Sequence, residues 1–188
     1  MAITPETRDY RTFEVRALDT GEEDKQYRVE GYAAVFDEET VLYEYDGIEY
    51  KEVIDRSAFT GAEMRDVVMN YNHGGKPVAR TKNGTLQLTV DTRGLRISAD
   101  LSGTEEGRRL YEEIRGGYLD QMSFAFTANK QEYDRAKHLR RITGFKRVFD
   151  VAAVDIPAYD GTSIAARSWA KAEAEREHAE ADKRRRLE

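Results

Sequence analysis

Gln121-Met122-Ser123-Phe124-Ala125-Phe126-Thr127-Ala128-Asn129, residues 121–129, alternates large apolar side chains with small or polar ones. In an extended chain that places Met122, Phe124 and Phe126 on one face and Ser123, Ala125 and Thr127 on the other. A strand of this kind packs one face into a core and offers a small polar face on its other side. Upstream, TLQLTVD and LRISADL alternate on either side of Thr92-Arg93-Gly94 and predict a hairpin. Between that hairpin and residue 121, Ser102 precedes Glu105 at capping-box spacing. Leu110 and Ile114 then share one helical face before Gly116-Gly117 stops the helix.

Further toward the N-terminus, residues 11–36 read as two strands around the acidic loop GEEDK, and VLYEYDGIEYKEVI reads as a hairpin flap turning at Asp46-Gly47. SAFTGAEM suggests a short helix. DVVMNYNH suggests a buried strand closed by a His73-Gly74-Gly75 turn. Downstream, KQEYDRAKHLRR is ambiguous, and RITGFKRVFDVAAVDIP gives one or two strands ending at Pro157. The fold class is mostly β with flanking helices (α+β). Residues 1–167 form one domain, and 168–188 form a charged, helical or disordered tail whose helix protrudes or frays.

The chain has 188 residues, 39% of them hydrophobic, which suits one packed domain with extensions. A net charge of -6 argues against a dedicated nucleic-acid binder. The basic run 183–186 reads as part of a solvated helix. With no cysteine there is no disulfide framework, thiolate metal site or cysteine nucleophile. No signal-peptide core and no run of about eighteen apolar residues is present, so a soluble protein that stays where it is made is expected. HExxH, P-loop, GxGxxG and GxSxG patterns are all missing, and no pair of carboxylates stands out as a glycosidase dyad.

Three histidines bound the search for a near-neutral base. His178 sits in the alanine-rich tail and His138 in a charged segment, whereas His73 follows an apolar run and precedes two glycines. From the residues alone, His73 is more often a turn or core histidine than a base. Ser123 could be a nucleophile, since core packing would hold its backbone and small neighbours would leave space for a carbonyl. Its plainer reading is a strand serine facing solvent. Asp150, in VFDVAAV, is a carboxylate within an apolar strand and requires a partner. An imidazole N–H and an ion pair with Lys146 or Arg147 are both open.

The succession GYAAVFDEE, EVIDRSAF, MNYNHGGKPVAR, DTRGLRISADL, IRGGYLDQMSFAF and FDVAAVDIPAY resembles the tailed-phage prohead (head-maturation) serine protease family across residues 11–167. That family is distantly similar to the herpesvirus assemblins, so the resemblance implies a compact β-barrel surrounded by helices. Carried over by position, it implies His73 as base, Ser123 as nucleophile and Asp150 as third member. Ser57-Ala58-Phe59 stands where Gly-Ala-Phe is usual, Ala125 where glycine is usual, and Asp150 where Glu is common. His138 is the alternative third member, by analogy with the assemblins' second histidine. Backbone N–H groups of Ala158 or Tyr159 would form the oxyanion hole.

The implied activity is a serine endopeptidase that cleaves phage major capsid protein, its scaffold and itself during prohead maturation, inside the assembling prohead in the host cytoplasm. No cofactor or metal is expected; a metal hydrolase built on His73 with acidic ligands is a remote rival. The resemblance admits a homodimer and implies no membrane partner. The rival function is a catalytically silent barrel that binds scaffold or capsid protein during assembly.

Overall fold

The computed structural model describes residues 9–18, 27–155 and 164–186. Ten strands and two helices follow one another: β1 (Asp9–Leu18), β2 (Arg28–Val35), β3 (Thr40–Tyr45), β4 (Ile48–Ile54), β5 (Val68–Tyr71), β6 (Gly74–Arg80), β7 (Leu86–Val90), β8 (Gly94–Asp100), α1 (Glu105–Arg115), β9 (Gln121–Asp134), β10 (Leu139–Val154) and α2 (Ile164–Arg185). The protein is mostly β with two helices, an α+β fold. Its sheet runs β3-β4-β10-β9-β1-β2-β8-β7, with β5 on β10 and β6 on β5. Among the described residues the two ends of this path do not pair, so the closed barrel implied by the resemblance is not found there.

The centre of the sheet is the β9–β10 hairpin. The ambiguous segment 130–141 supplies its tip and the flanking turns of strand, and RITGFKRVFDVAAV forms a single long strand interrupted by register shifts. The expected alternation holds: Met122, Phe124 and Phe126 are fully buried in the main core with Val29, Ile97, Ile142 and Val151. Phe124, Phe126 and Phe145 form mutual ring contacts with centroids 4.6 to 5.8 Å apart, and Phe59 reaches Phe145 at 4.6 Å. Such pairs add about 0.5–1.5 kcal/mol each beyond the area they bury. The β9 backbone is thereby held from behind.

Three local expectations need correction. Residues 56–61 form a succession of turns, not a helix, because Ser57 donates both N–H and Oγ–H to Asp55 Oδ1 and the chain then runs along β10, where Phe145 N donates to Ala58 O. α1 is capped by Thr104, whose Oγ1 accepts from Gly107 N at 2.9 Å. Ser102 is occupied otherwise: its N–H goes to Asp100 and its carbonyl accepts from Arg108.

The third concerns α2, which docks where a protruding helix was expected. Ala170 and Ala174 are fully buried against Leu42 and Tyr50. Glu177 anchors the helix, accepting hydrogen bonds from Tyr50 Oη (3.1 Å) and Tyr133 Oη (2.9 Å) and pairing with His138 Nδ1 (2.9 Å). Burial, then the bond to this carboxylate, pushes the Tyr50 hydroxyl up to about 12. No helix among the described residues is long and apolar enough to cross a membrane.

Candidate active site

β5 runs parallel to the end of β10, pairing Asp150 with Val68 and Ala152 with Asn70, and β9 pairs Asp150 with Ala125 and Ala152 with Ser123. Paired residues of adjacent strands share a face. Asn70, Ala152 and Ser123 therefore form one row across three strands, and Val68, Asp150 and Ala125 form the next. This is the sheet face opposite the phenylalanines. Both alanines are fully buried, Ser123 is 3% exposed, Asp150 5% and Asn70 7%. The small side chains at 125 and 152 leave the floor of the site low.

The β5–β6 hairpin delivers the imidazole. Asn72 and His73 both have positive φ, 48° and 56°, and join Tyr71 to Gly74 as the two central residues of a tight hairpin turn. The turn thus lies one residue earlier than His73-Gly74-Gly75, with Gly74 already in β6. Asn and His tolerate the left-handed region better than most residues. Three bonds clamp this turn to the end of β10: Asn72 N to Ala153 O (3.0 Å), Tyr71 Oη to Asp155 Oδ2 (2.6 Å) and Asp155 N to Asn72 Oδ1 (3.3 Å).

From there the ring of His73 turns back over the face, and its Nδ1 hydrogen-bonds Asp150 Oδ1. Of the two partners open to Asp150, the structure selects the imidazole. Lys146 and Arg147 bracket the turn segment instead, where Glu63 N donates to Lys146 O and Arg147 lies over the ring of Phe149 at 4.9 Å. A register shift between Val148 and Asp150 aims the carboxylate onto the small-residue face. With Nδ1–H donating to the carboxylate, Nε2 carries the lone pair and can accept a proton.

Ser123 lies on the neighbouring strand, one row along from Asp150, which places the two Cα atoms about 7–8 Å apart on a shared face. The structure brings His73 and Asp150 into contact and places Ser123 on the strand next to that of Asp150. His138 is elsewhere: it sits at the β9–β10 tip with φ 49° and is engaged by Glu177. About eleven residues of strand separate it from Asp150, on the order of 35 Å along the chain, so the alternative third member is not at this site. His178 approaches Asp46 at 3.5 Å and the ring of Tyr45, in the α2 dock. Ala158 and Tyr159, the expected oxyanion donors, lie outside the described residues. Among the described residues no group of three or more His, Asp or Glu side chains could hold a metal ion.

Beside the His73 turn, a groove of about 840 Å³ runs between the β5–β6 hairpin, α1 and the segment entering β9. Its walls include Tyr71, Gly74, Lys76, Leu110 and Leu119, and Tyr118 stands 82% exposed at its edge. Sequence reasoning missed this groove and missed Asn70. A polar side chain within the apolar run DVVMNY was the available signal, the same one that drew attention to Asp150.

A tautomer-fixed imidazole on a buried carboxylate, next to a serine on a rigid strand, is the set of groups that serine hydrolases use. The chain belongs to a family of that class: the family model for the Caudovirus prohead serine protease matches residues 11–177. It is thus a member of a bacteriophage protease family that acts in virion maturation and capsid assembly. No curated protein and no solved structure matches the chain.

Proposed function

We propose that the protein is a serine endopeptidase of the prohead, with Ser123 as nucleophile, His73 as general base and Asp150 as the group that orients and stabilises the imidazole. The observation that carries this reading is the His73–Asp150 hydrogen bond on the face that holds Ser123. His73 Nε2 takes the Ser123 proton as Oγ attacks a peptide carbonyl. The tetrahedral intermediate collapses as the C–N bond breaks, and the proton passes to the leaving amine. Water then releases the acyl group by the same steps in reverse.

The groove beside the His73 turn is the proposed seat of the extended substrate. Its apolar walls suit a hydrophobic side chain, and the glycines of β6 let a peptide backbone come close. Capsid protein and its scaffold are the proposed substrates, together with the enzyme itself, inside the assembling head. Residues 1–167 are the proposed catalytic domain and 168–188 an extension of it. The proposed barrel rests on the family resemblance.

One observation favours the rival of a silent assembly module. Ser123 is only 3% exposed, so a substrate reaches it only after chain moves aside. Incubating the wild type with its capsid precursor, and following the products by mass spectrometry, separates the two. The protease reading expects defined cuts that vanish in Ser123→Ala and His73→Ala, each variant losing about 10⁶ in kcat. Cuts that persist in Ser123→Ala, or none from wild type in assembled heads, would refute it.

A further inference from the structure

We infer that the side-chain amide of Asn70 donates to the oxyanion formed when Ser123 attacks the substrate. The inference rests on the proposed role of Ser123 and adds the donor that role requires. Asn70 is 93% shielded from solvent, and its carboxamide oxygen is buried with no hydrogen-bond partner. A buried amide left in that condition costs about 1–3 kcal/mol, which a native structure tolerates when the group serves something that arrives later. The neighbouring asparagine shows the contrast: Asn72 spends its side chain on the backbone of Asp155.

Its position fits the task. Asn70 and Ser123 end the same three-strand row, with Ala152 between them presenting nothing beyond its Cβ. Two strand spacings separate their Cα atoms, about 10 Å. Both side chains rise from the same face, leaving a gap over Ala152 that one tetrahedral carbon and its oxygen would span, with an N–H donor at about 2.7–3.1 Å from that oxygen. As the Ser123 proton moves to His73 Nε2, the carbonyl electron pair moves onto this oxygen. When the intermediate collapses the pair returns, the C–N bond breaks, and the bond to Asn70 relaxes.

Thr127 is the other described side chain on this face with a buried, unpartnered polar atom. It stands four residues along β9 from Ser123, about 13 Å away, and cannot reach the same oxygen. Asn70 is thus singled out by its row and by a carboxamide that makes no hydrogen bond among the described residues.

The test uses the full-length chain with two probes, p-nitrophenyl acetate turnover and labelling by a fluorophosphonate, across pH 6–9. Asn70→Ala and the isosteric Asn70→Asp, whose carboxylate cannot donate, are expected to lower kcat by about 10²–10³ with little change in KM. In Asn70→Ala the midpoint of the pH–rate profile should stay in place, because His73 and Asp150 are untouched. Asn70→Ser, which keeps a short donor, should retain more activity than Asn70→Ala, and melting temperatures of all three identify any that fail to fold. Turnover by folded Asn70→Ala and Asn70→Asp within threefold of wild type overturns the assignment. A loss in Asn70→Ala accompanied by a displaced pH midpoint also overturns it, and makes Asn70 a positioning residue for the imidazole. Ser123→Ala separates the two levels of inference: if it still turns over and labels like wild type, the nucleophile assignment falls first.

Discussion

Asp150→Asn is the substitution whose effect can be worked most directly from the site. The carboxylate is 5% exposed and accepts from His73 Nδ1, so the change conserves shape and removes one charge. The loss to folding should be about 1 kcal/mol, that of one altered hydrogen bond. On the proposed mechanism His73 becomes a cation in the transition state. Opposite unit charges about 4 Å apart, at an effective permittivity of about 20, attract by about 4 kcal/mol. At about 1.36 kcal/mol per decade of rate, that is nearly three decades. An amide that turns its NH₂ toward Nδ1 also favours the wrong tautomer, and the combined loss in a well-studied serine protease is about 10⁴. The expected fall in kcat is therefore about 10³–10⁴ at pH 7, read by p-nitrophenyl acetate turnover and checked by fluorophosphonate labelling and a thermal melt. His138→Ala is the control, with turnover unchanged. Asp150→Asn within tenfold of wild type would refute the reasoning, and so would activity lost only in step with the fold.

Glu30 is 9% exposed between Arg96 and Arg16, each at 2.5 Å, and hydrogen bonds from these guanidinium groups hold its carboxyl below the usual value of 4.5. Its contribution to stability is complete above about pH 4.5 and is lost as pH falls through the lower folded value. Urea midpoints between pH 3 and 7 should therefore fall less steeply on acidification in Glu30→Gln than in wild type; parallel curves would contradict this. A Cβ on Gly94 would lie 1.9 Å from the carbonyl oxygen of Ala34, so Gly94→Ala must part β2 from β8. Its cost should be about 3 kcal/mol or more, visible as a lower melting temperature. Glu177→Ala leaves Tyr50, Tyr133 and His138 without their common acceptor. Limited trypsin digestion should then cut within α2 well before the sheet is attacked, and equal protection of the two proteins would show that the alanine contacts alone hold the helix.

The parts of the fold legible in the sequence are those fixed by short-range pattern. Alternation at 121–129 marks β9 because its large apolar side chains enter the main core while its small ones face the other side, and Asp46-Gly47 marks the β3–β4 turn because both residues adopt positive φ, 52° and 75°. Less visible were features decided by partners far away in the chain. SAFTGAEM has helical composition, yet its carbonyls and amides are claimed by β10 as the segment passes alongside. The docking of α2 depends on Tyr50, Tyr133 and His138 converging on one carboxylate, which no local pattern encodes. At the site, family likeness pointed to His73 and Asp150, and the structure joins them. The residues alone left Asp150 divided between imidazole and ion pair, since strand pairing and the register shift at residue 149 decide which way it faces.

The hairpin that carries His73 is slender. β6 meets β5 at only three paired positions, Val68 with Arg80, Met69 with Ala79 and Tyr71 with Gly74, with a register shift between Met69 and Tyr71. Ser123 and Asp150, by contrast, belong to the long hairpin at the middle of the sheet. The proposed catalytic apparatus is thus divided between a durable half and a perishable one. Gentle warming would unseat the imidazole while Ser123 and Asp150 stayed in register, and cooling would restore it, so the proposed chemistry would be lost reversibly before the shape.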